Sequence, residues 1–457
     1  GKTFTSLKIA EALMQDQHKT QFYVLYLVPS IQLLSQTLRN WNDDISDDIN
    51  LVSFSVVSDR KASKFKNQDV DDDIAAKDIG FPATTDVKIF MHNYRQLFAV
   101  KKERMVVVFS TYQSIDMIHI AQEQGFPEFD LIVADEAHRT TGAKELGEPS
   151  IFTKVHYNEN IKGKLRLYQT ATPKIYGQNA KKKAIENSIV LSSMDDVSIY
   201  GEEIFRYTFG YAVEHGYLTD YKVSVLAVSK KYVNKNLQSV IAKDNKLDVN
   251  DIAKIVGVWN AMVKRNGLNG AITGAPMKRA IGFTDTIADS EKLASEFNTV
   301  VNNYLNEQYE DSFHLQVRHV DGTLNALEKK DALDWLSGDI PENQARVLSN
   351  VRFLTEGVDV PNLDAIIFFN PKHSQIDIVQ AVGRIMRKYP GKEYGYIILP
   401  VVINVGADPK AVLDNDQKYQ TVWQVLNALR STDERFDVEV NKLQLNKNKS
   451  DRINFIG

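Results

Sequence analysis

The chain of 457 residues contains no cysteine. This excludes a disulfide scaffold, a thiolate zinc site and a cysteine nucleophile, and it fits a reducing, cytoplasmic setting. No apolar run approaches the ~18 residues that a bilayer-spanning helix needs, so no membrane partner is expected. No charged-then-apolar signal segment opens the sequence, and export is not expected. Charge of one sign is missing too: 55 Lys and Arg against 59 Asp and Glu leave a net charge of −4. A protein that only coats DNA is usually basic. A positive groove can still coexist with an acidic remainder. What is present is an ordinary globular composition, 43% hydrophobic and 25% charged. At ~100–200 residues per domain, the length allows two to four domains, each with its own core.

The sequence begins Gly1-Lys2-Thr3, without an initiator methionine. Those residues match the end of a Gly-x-x-x-x-Gly-Lys-[Ser/Thr] phosphate loop, a poor signal on its own. A helical pattern follows, with Leu7, Ala10, Leu13 and Met14 on one face. A phosphate loop opens a helix in this way, because the helix N-terminus adds N–H donors and a positive dipole end. The expectation is a chain cut from a longer protein within this loop.

Short runs rich in Val, Ile, Leu and aromatics then recur at 22–28, 105–109, 131–134, 166–170, 223–228, 279–283, 346–349, 365–369 and 396–399. Such runs suit parallel strands covered on both faces. Helical patterns lie between them, at 31–41, 288–297 and 324–336. The alternation predicts a doubly wound α/β architecture. It divides into residues 1–216, residues 217–404 and a further, truncated segment 405–457 with a helical pattern at 419–429. Residues 42–104 read as long, polar and irregular, with an acidic patch at 69–73 that suits solvated surface.

The apolar run ending at Ala134 leads into Asp135-Glu136-Ala137-His138. This places two acids at the carboxyl edge of a sheet, where open α/β folds bind ligands. Phosphoryl transfer uses both: Asp135 is assigned to Mg²⁺, and Glu136 to activation of the water that attacks a γ-phosphate. The bland alternative is an acidic helix cap. Zinc-ligand spacing around His138 is absent, and a coupling role fits it better. Thr170-Ala171-Thr172-Pro173 follows another strand; it reads either as a helix-start turn or as hydroxyls linking the acids to a DNA side. In the second unit, Gln380, Gly383, Arg384 and Arg387 fall at positions 0, 3, 4 and 7 of one helix face. Their cationic groups suit charge developing on a γ-phosphate, Arg387 as the finger and Arg384 as a second phosphate contact or a lobe-closing residue. A basic helix facing DNA is the alternative.

The ordered set resembles a superfamily 2 helicase or translocase motor with two RecA-like lobes. Gly1, Lys2 and Thr3 resemble the end of motif I, and 28–30 motif Ia. Residues 110–113 resemble motif Ib, 135–138 motif II and 170–172 motif III. Gly282-Phe283-Thr284 resembles motif IV, 355–359 motif V and 380–387 motif VI. The fuller strings at 135–142, 214–222 and 378–388 are similar to the motor of single-chain Type ISP restriction–modification enzymes, with Type I and Type III motors sharing less. The resemblance implies ATP with Mg²⁺ between the lobes, held by Gly1, Lys2, Thr3, Asp135, Gly357 and Asp359, with Thr3 and Asp135 on the metal. It implies coupling through His138, Thr170, Thr172 and Gln380. Pro29, Ser30, Ser110, Thr111, Tyr112 and Thr355 match positions that contact phosphates of double-stranded DNA; such contacts carry no sequence information, as a translocase requires. Basic segments at 61–66, 101–102, 181–183 and 230–231 extend that track or serve solubility. The partners implied are nuclease and methyltransferase domains of the same parent chain, with residues beyond ~405 starting a helical coupler. Two other readings stay open: a free-standing superfamily 2 helicase acting on DNA or RNA, and a non-hydrolysing DNA-binding scaffold.

Overall fold

The computed structural model describes residues 1–57, 83–84, 86–96, 103–144, 150–178, 182, 190–229, 248–264, 274–305, 313–321, 324, 326–351, 360–369, 374–403, 420–436, 438–440 and 453–456. The chain forms two compact units, Gly1–Ile204 and Phe205–Gly457.

In the first unit, β1 (Gln21–Val28), β2 (Leu51–Val56), β3 (Ala83–Thr84), β4 (Arg104–Thr111), β5 (Phe129–Ala134) and β7 (Gly163–Tyr168) make one parallel sheet in the order β3-β2-β4-β1-β5-β7. A small antiparallel pair, β6 (Gly142–Lys144) and β8 (Val190–Ser192), lies outside it. Alternation along the central strands feeds two cores. On β1, Phe22, Val24, Tyr26 and Val28 point into one; Tyr23, Leu25 and Leu27 point into the other. Helices α1 (Lys2–Asp16) and α2 (Ile31–Asp44) close the first face with Leu7, Leu38 and Trp41. Helices α3 (Val87–Gln96) and α4 (Ile115–Glu123) close the second with Phe90 and Ile118. A short α5 (Val197–Tyr200) comes last. Burial on both faces explains why β1, β4 and β5 are continuous apolar runs.

The fully buried Trp41 ties this packing to the start of the chain. Its ring lies edge-on to Tyr26 and Phe109, at 5.4 and 5.7 Å between centroids. Its Nε1–H donates to the Thr3 carbonyl at 3.1 Å, anchoring the first turn of α1.

The second unit opens with α6 (Phe209–Glu214) and then repeats the plan. Strands β9 (Asp220–Ser229), β10 (Arg279–Phe283), β11 (His314–His319), β12 (Gln344–Asn350), β13 (Ala365–Phe368), β14 (Tyr394–Ile403) and β15 (Ile453–Ile456) form a parallel sheet in the order β11-β12-β10-β13-β14-β9-β15. Helices α7 (Val249–Met262) and α8 (Ile287–Leu305) cover one face. Helices α9 (Ala326–Ser337), α10 (Gln375–Ile385) and α11 (Gln420–Arg430) cover the other. A capping box opens α10: the Ser374 hydroxyl accepts from the Asp377 N–H, and the Asp377 carboxylate accepts from the Ser374 N–H. Residues of α11 and β15 share the core of this unit, through Val422, Leu426 and Ile453.

All nine expected strands are present, and the expected parallel arrangement holds in both large sheets. The reading of 42–104 as irregular is corrected where β2, β3 and α3 lie within it; residues 58–82, with the acidic patch at 69–73, lie outside the described residues. The reason is the weak apolar signal of β2: Leu51-Val-Ser-Phe-Ser-Val is buried only at its last two positions. Strand β11 lacks an apolar run for the same cause; it is a sheet edge with polar, partly exposed residues.

One close approach in the second unit demands glycine. A Cβ on Gly395, in β14, would lie 2.6 Å from the carbonyl oxygen of Ile385, the last residue of α10. Gly395→Ala is expected to displace the end of α10 and to cost about 1–3 kcal/mol, as overpacking does. Urea unfolding of wild type and variant measures it; a midpoint within error of wild type would refute the contact.

Candidate active site

The carboxyl edge of the first sheet gathers the chemistry. The β5 backbone continues its sheet bonds past its end: Asp135 N–H donates to Leu27 O at 2.9 Å, and Ala137 N–H donates to Gln169 O at 2.9 Å. Between these fixed points Glu136 takes a left-handed conformation, φ 48° and ψ 46°. A non-glycine residue in that region carries strain, and such strain concentrates at functional sites.

The kink brings both acids to Lys2, at the start of α1. Lys2 Nζ lies 2.5 Å from Glu136 Oε1 and 3.4 Å from Asp135 Oδ1. Both carboxylates are nearly buried, while the lysine is about a third exposed. Burial pushes the Glu136 carboxyl up, but Lys2 and then His138 outweigh it and hold the pKa at about 2. Asp135 goes the other way: burial raises it, Lys2 opposes, and the neighbouring Glu136 charge adds to the rise. Burial works against the Lys2 ammonium, yet the two carboxylates hold it above the ordinary lysine range.

A hydrogen-bonded line leaves this cluster sideways. His138 Nδ1 lies 3.4 Å from Glu136 Oε2 and 3.0 Å from Thr170 Oγ1. Thr170 Oγ1 in turn accepts the Thr172 N–H at 3.1 Å. Motif II is thereby joined to the loop after β7. Among the described residues, this unit brings together Lys2, Asp135, Glu136, His138, Thr170 and Thr172.

The remaining residues singled out in the sequence are placed as follows. Gly1 is the N-cap of α1, and the Thr3 carbonyl is bound by Trp41 and by the Ser6 hydroxyl. The Pro29 carbonyl accepts from Gln113 Nε2 at 3.4 Å. The Ser30 hydroxyl caps α2, accepting from Leu33 N–H at 3.3 Å. Ser110, Thr111 and Tyr112 are buried, and their hydroxyls are engaged internally. Ser110 Oγ donates to Thr111 O, Thr111 Oγ1 pairs with Ser114 Oγ, and Tyr112 OH donates to the Asp135 carbonyl at 2.8 Å. In the second unit, Gln380, Gly383, Arg384 and Arg387 are partly exposed while Ile378, Val379, Ala381, Val382 and Ile385 are buried. Thr355, Gly357 and Asp359 lie outside the described residues, as do the basic segments at 61–66, 101–102 and 230–231.

Three supporting contacts, one of them from the already named Tyr112, escaped the sequence. Tyr26 lies on β1 with its hydroxyl 3.5 Å from Asp135 Oδ2. Tyr112 braces the Asp135 main chain, and Gln169 Nε2 reaches the Lys2 carbonyl at 3.4 Å. Burial first, and the Asp135 charge second, push the Tyr26 and Tyr112 phenols up, so both are protonated donors at neutral pH. A tyrosine inside a buried strand, which must find a partner for its hydroxyl, was the available signal.

The chemistry suits a magnesium-bound triphosphate. Among the described residues, no cluster of three or more His, Cys, Asp or Glu could cage a metal. Mg²⁺ does not ask for one: it takes one or two carboxylates, substrate phosphates and water. The desolvated Asp135 carboxylate and the Thr3 hydroxyl at the head of α1 fit that pattern.

Known proteins decide the family. Residues 1–175 match the family model described as Type III restriction enzyme, res subunit, and residues 264–389 match the helicase conserved C-terminal domain. The chain thus carries the two domains of a helicase-type ATPase. The motor aligns over 100% of its length with 29% of LlaBIII, an ATP-dependent Type ISP restriction–modification enzyme solved bound to DNA, at 53% identity and a TM-score of 0.85. It aligns over 99% of its length with 28% of a nuclease-deletion mutant of the Type ISP enzyme LlaGI, solved with a DNA substrate mimic, at 44% identity and a TM-score of 0.64. The probable helicase A859L of African swine fever virus (isolate Tick/Malawi/Lil 20-1/1983) is 26% identical over 436 residues, 95% of this chain and 41% of the viral protein. The motor therefore spans about two fifths of that relative and under a third of the two restriction enzymes.

Proposed function

We propose that this segment is the DNA-dependent ATPase that drives a restriction–modification enzyme along double-stranded DNA. The observation that carries the reading is the buried Asp135–Glu136 pair clamped to Lys2 at the carboxyl edge of a parallel sheet. In this reading Gly1, Lys2 and Thr3 bind the triphosphate, and Thr3 and Asp135 hold Mg²⁺. The ion supplies neutralisation of phosphate charge. Glu136 accepts the proton of the attacking water. With pKa held near 2 by Lys2 and His138, Glu136 is a weak base while the ammonium sits on it. A phosphate that draws Lys2 away raises the basicity of Glu136, so base strength follows substrate binding. Arg384 and Arg387 offset charge developing on the γ-phosphate, and Gly357 and Asp359 contribute to the same nucleotide site. His138, Thr170, Thr172 and Gln380 carry the coupling.

DNA contacts are proposed at Pro29, Ser30 and Thr355 and along 110–112. We further propose a cytoplasmic setting and, on a parent chain, nuclease and methyltransferase domains.

The test is ATP hydrolysis by the intact protein with Mg²⁺, with and without duplex DNA, combined with displacement of a third strand from a triplex. Duplex DNA is expected to stimulate turnover, and the third strand to leave while the duplex stays paired. Sustained separation of the duplex would favour the free-standing helicase reading. Hydrolysis that ignores DNA would overturn the proposal.

A further inference from the structure

A half-buried histidine outside every helicase motif holds the two coupling loops of the first unit together. His156 Nε2 lies 3.0 Å from the Thr140 carbonyl, which can only accept, so Nε2 carries the proton. Nδ1 is then the acceptor, and the Tyr168 hydroxyl donates to it at 2.9 Å. Both neighbours matter by position. Thr140 stands two residues after His138, and Tyr168 two residues before Thr170. The His138–Thr170 hydrogen bond therefore spans the same gap that His156 bridges from behind.

A third arm reaches α5. Thr140 Oγ1 pairs with Tyr200 OH at 3.1 Å and donates to Ala137 O at 2.8 Å, inside motif II. The Tyr200 ring packs edge-on to both His156 and Tyr168, with centroids 5.0 and 4.9 Å apart. Burial first, then the Arg166 charge, lower the basicity of His156 against the opposing bond to Thr140. The neutral ring with its proton on Nε2 satisfies both bonds. Arg166 is itself occupied by the carbonyls of Val155, Ile161 and Gly163 and by the Asn158 side chain, so the whole array is fixed from below.

We infer that His156 is a positioning residue for coupling: it fixes the spacing of the loops bearing His138 and Thr170, and links both to α5, so that DNA binding can raise ATP turnover. The inference rests on the motor reading above. His156 touches neither acid, so its loss should spare nucleotide binding and DNA-independent turnover.

The experiment compares the intact protein with His156→Phe and His156→Gln. Phenylalanine keeps the ring packing and deletes both bonds; glutamine restores a donor and an acceptor. In His156→Phe, kcat at saturating duplex DNA is expected to fall about 10- to 100-fold, the scale of a small misplacement, with the ATP KM and the DNA-free rate moving by less than about twofold. His156→Gln is expected to recover most of the loss. Tyr168→Phe, which removes one oxygen from the same array, carries the same expectation should His156→Phe not fold. DNA-stimulated turnover unchanged in these variants, or stimulated and DNA-free rates falling together, would overturn the inference and leave the motor reading standing. A wild-type protein whose turnover ignores DNA would overturn both.

Discussion

Glu136→Gln is expected to stop DNA-stimulated ATP turnover while ATP still binds. The change removes a charge and keeps the shape. The substituted amide cannot accept a proton from the attacking water, and loss of a positioned general base costs typically 10²–10⁴-fold in rate. Binding should persist because the groups assigned to the phosphates and the metal, Lys2, Thr3 and Asp135, are untouched. Lys2 also retains the Asp135 carboxylate at 3.4 Å, so its ammonium keeps a counter-charge. The pKa directions sharpen the expectation. Glu136 is held ionised at neutral pH by Lys2 and His138, whereas burial pushes Asp135 up; the two acids are therefore not interchangeable. Single-turnover hydrolysis and equilibrium ATP binding, measured on the same preparation, separate chemistry from affinity. Wild-type turnover in Glu136→Gln would remove the base assignment and, with it, the case for this cleft as the catalytic centre.

How much of this was legible in advance follows from where each residue sits. Strands such as β1 and β5 announce themselves because both faces are buried and nearly every position is apolar. Strand β2 does not, since Ser53 and Ser55 interrupt it and most of it is only partly buried. Strand β11 does not either: it is an edge, and its His, Gln and Arg alternate outward. At the site, Asp135 and Glu136 were visible as acids ending an apolar run, and Lys2 as the end of a phosphate loop. Their mutual contact was not, because it joins residues 134 apart. Nor was the left-handed turn at Glu136, which the flanking sheet bonds impose. Tyr112 shows the limit most clearly. Sequence position marks it as part of a DNA-contacting motif, yet its hydroxyl supports the main chain of Asp135. His156 had no sequence signal; only the tertiary neighbours Thr140, Tyr168 and Tyr200 give it a role.

Arg387→Ala is the second large effect, and it decides between the two readings of the motif VI helix. The residue follows the end of α10, and its backbone is held from three sides. Its N–H donates to Arg384 O at 3.3 Å, and its carbonyl accepts from Lys392 Nζ at 3.2 Å and from Thr219 Oγ1 at 3.5 Å. Burial lowers Arg387 somewhat, but a guanidinium keeps its proton at neutral pH. Burial, opposed by Asp364 and reinforced by the Arg387 charge, brings Lys392 down to about 8, so at neutral pH it still carries its proton and donates to the Arg387 carbonyl. Such rigid support is what a transition-state cation needs and what a loose phosphate contact does not. An arginine finger is worth about 10³–10⁵ in kcat. Arg387→Ala should therefore lose at least about a thousandfold at saturating DNA, and Arg387→Lys should recover little, because an ammonium lacks the planar fork. Lys388→Ala, at the exposed neighbouring position, should behave as wild type. If the helix face instead serves the DNA backbone, the signature reverses. Then Arg387→Ala weakens DNA binding and flattens its salt dependence by about one contact, while kcat at saturating DNA is preserved.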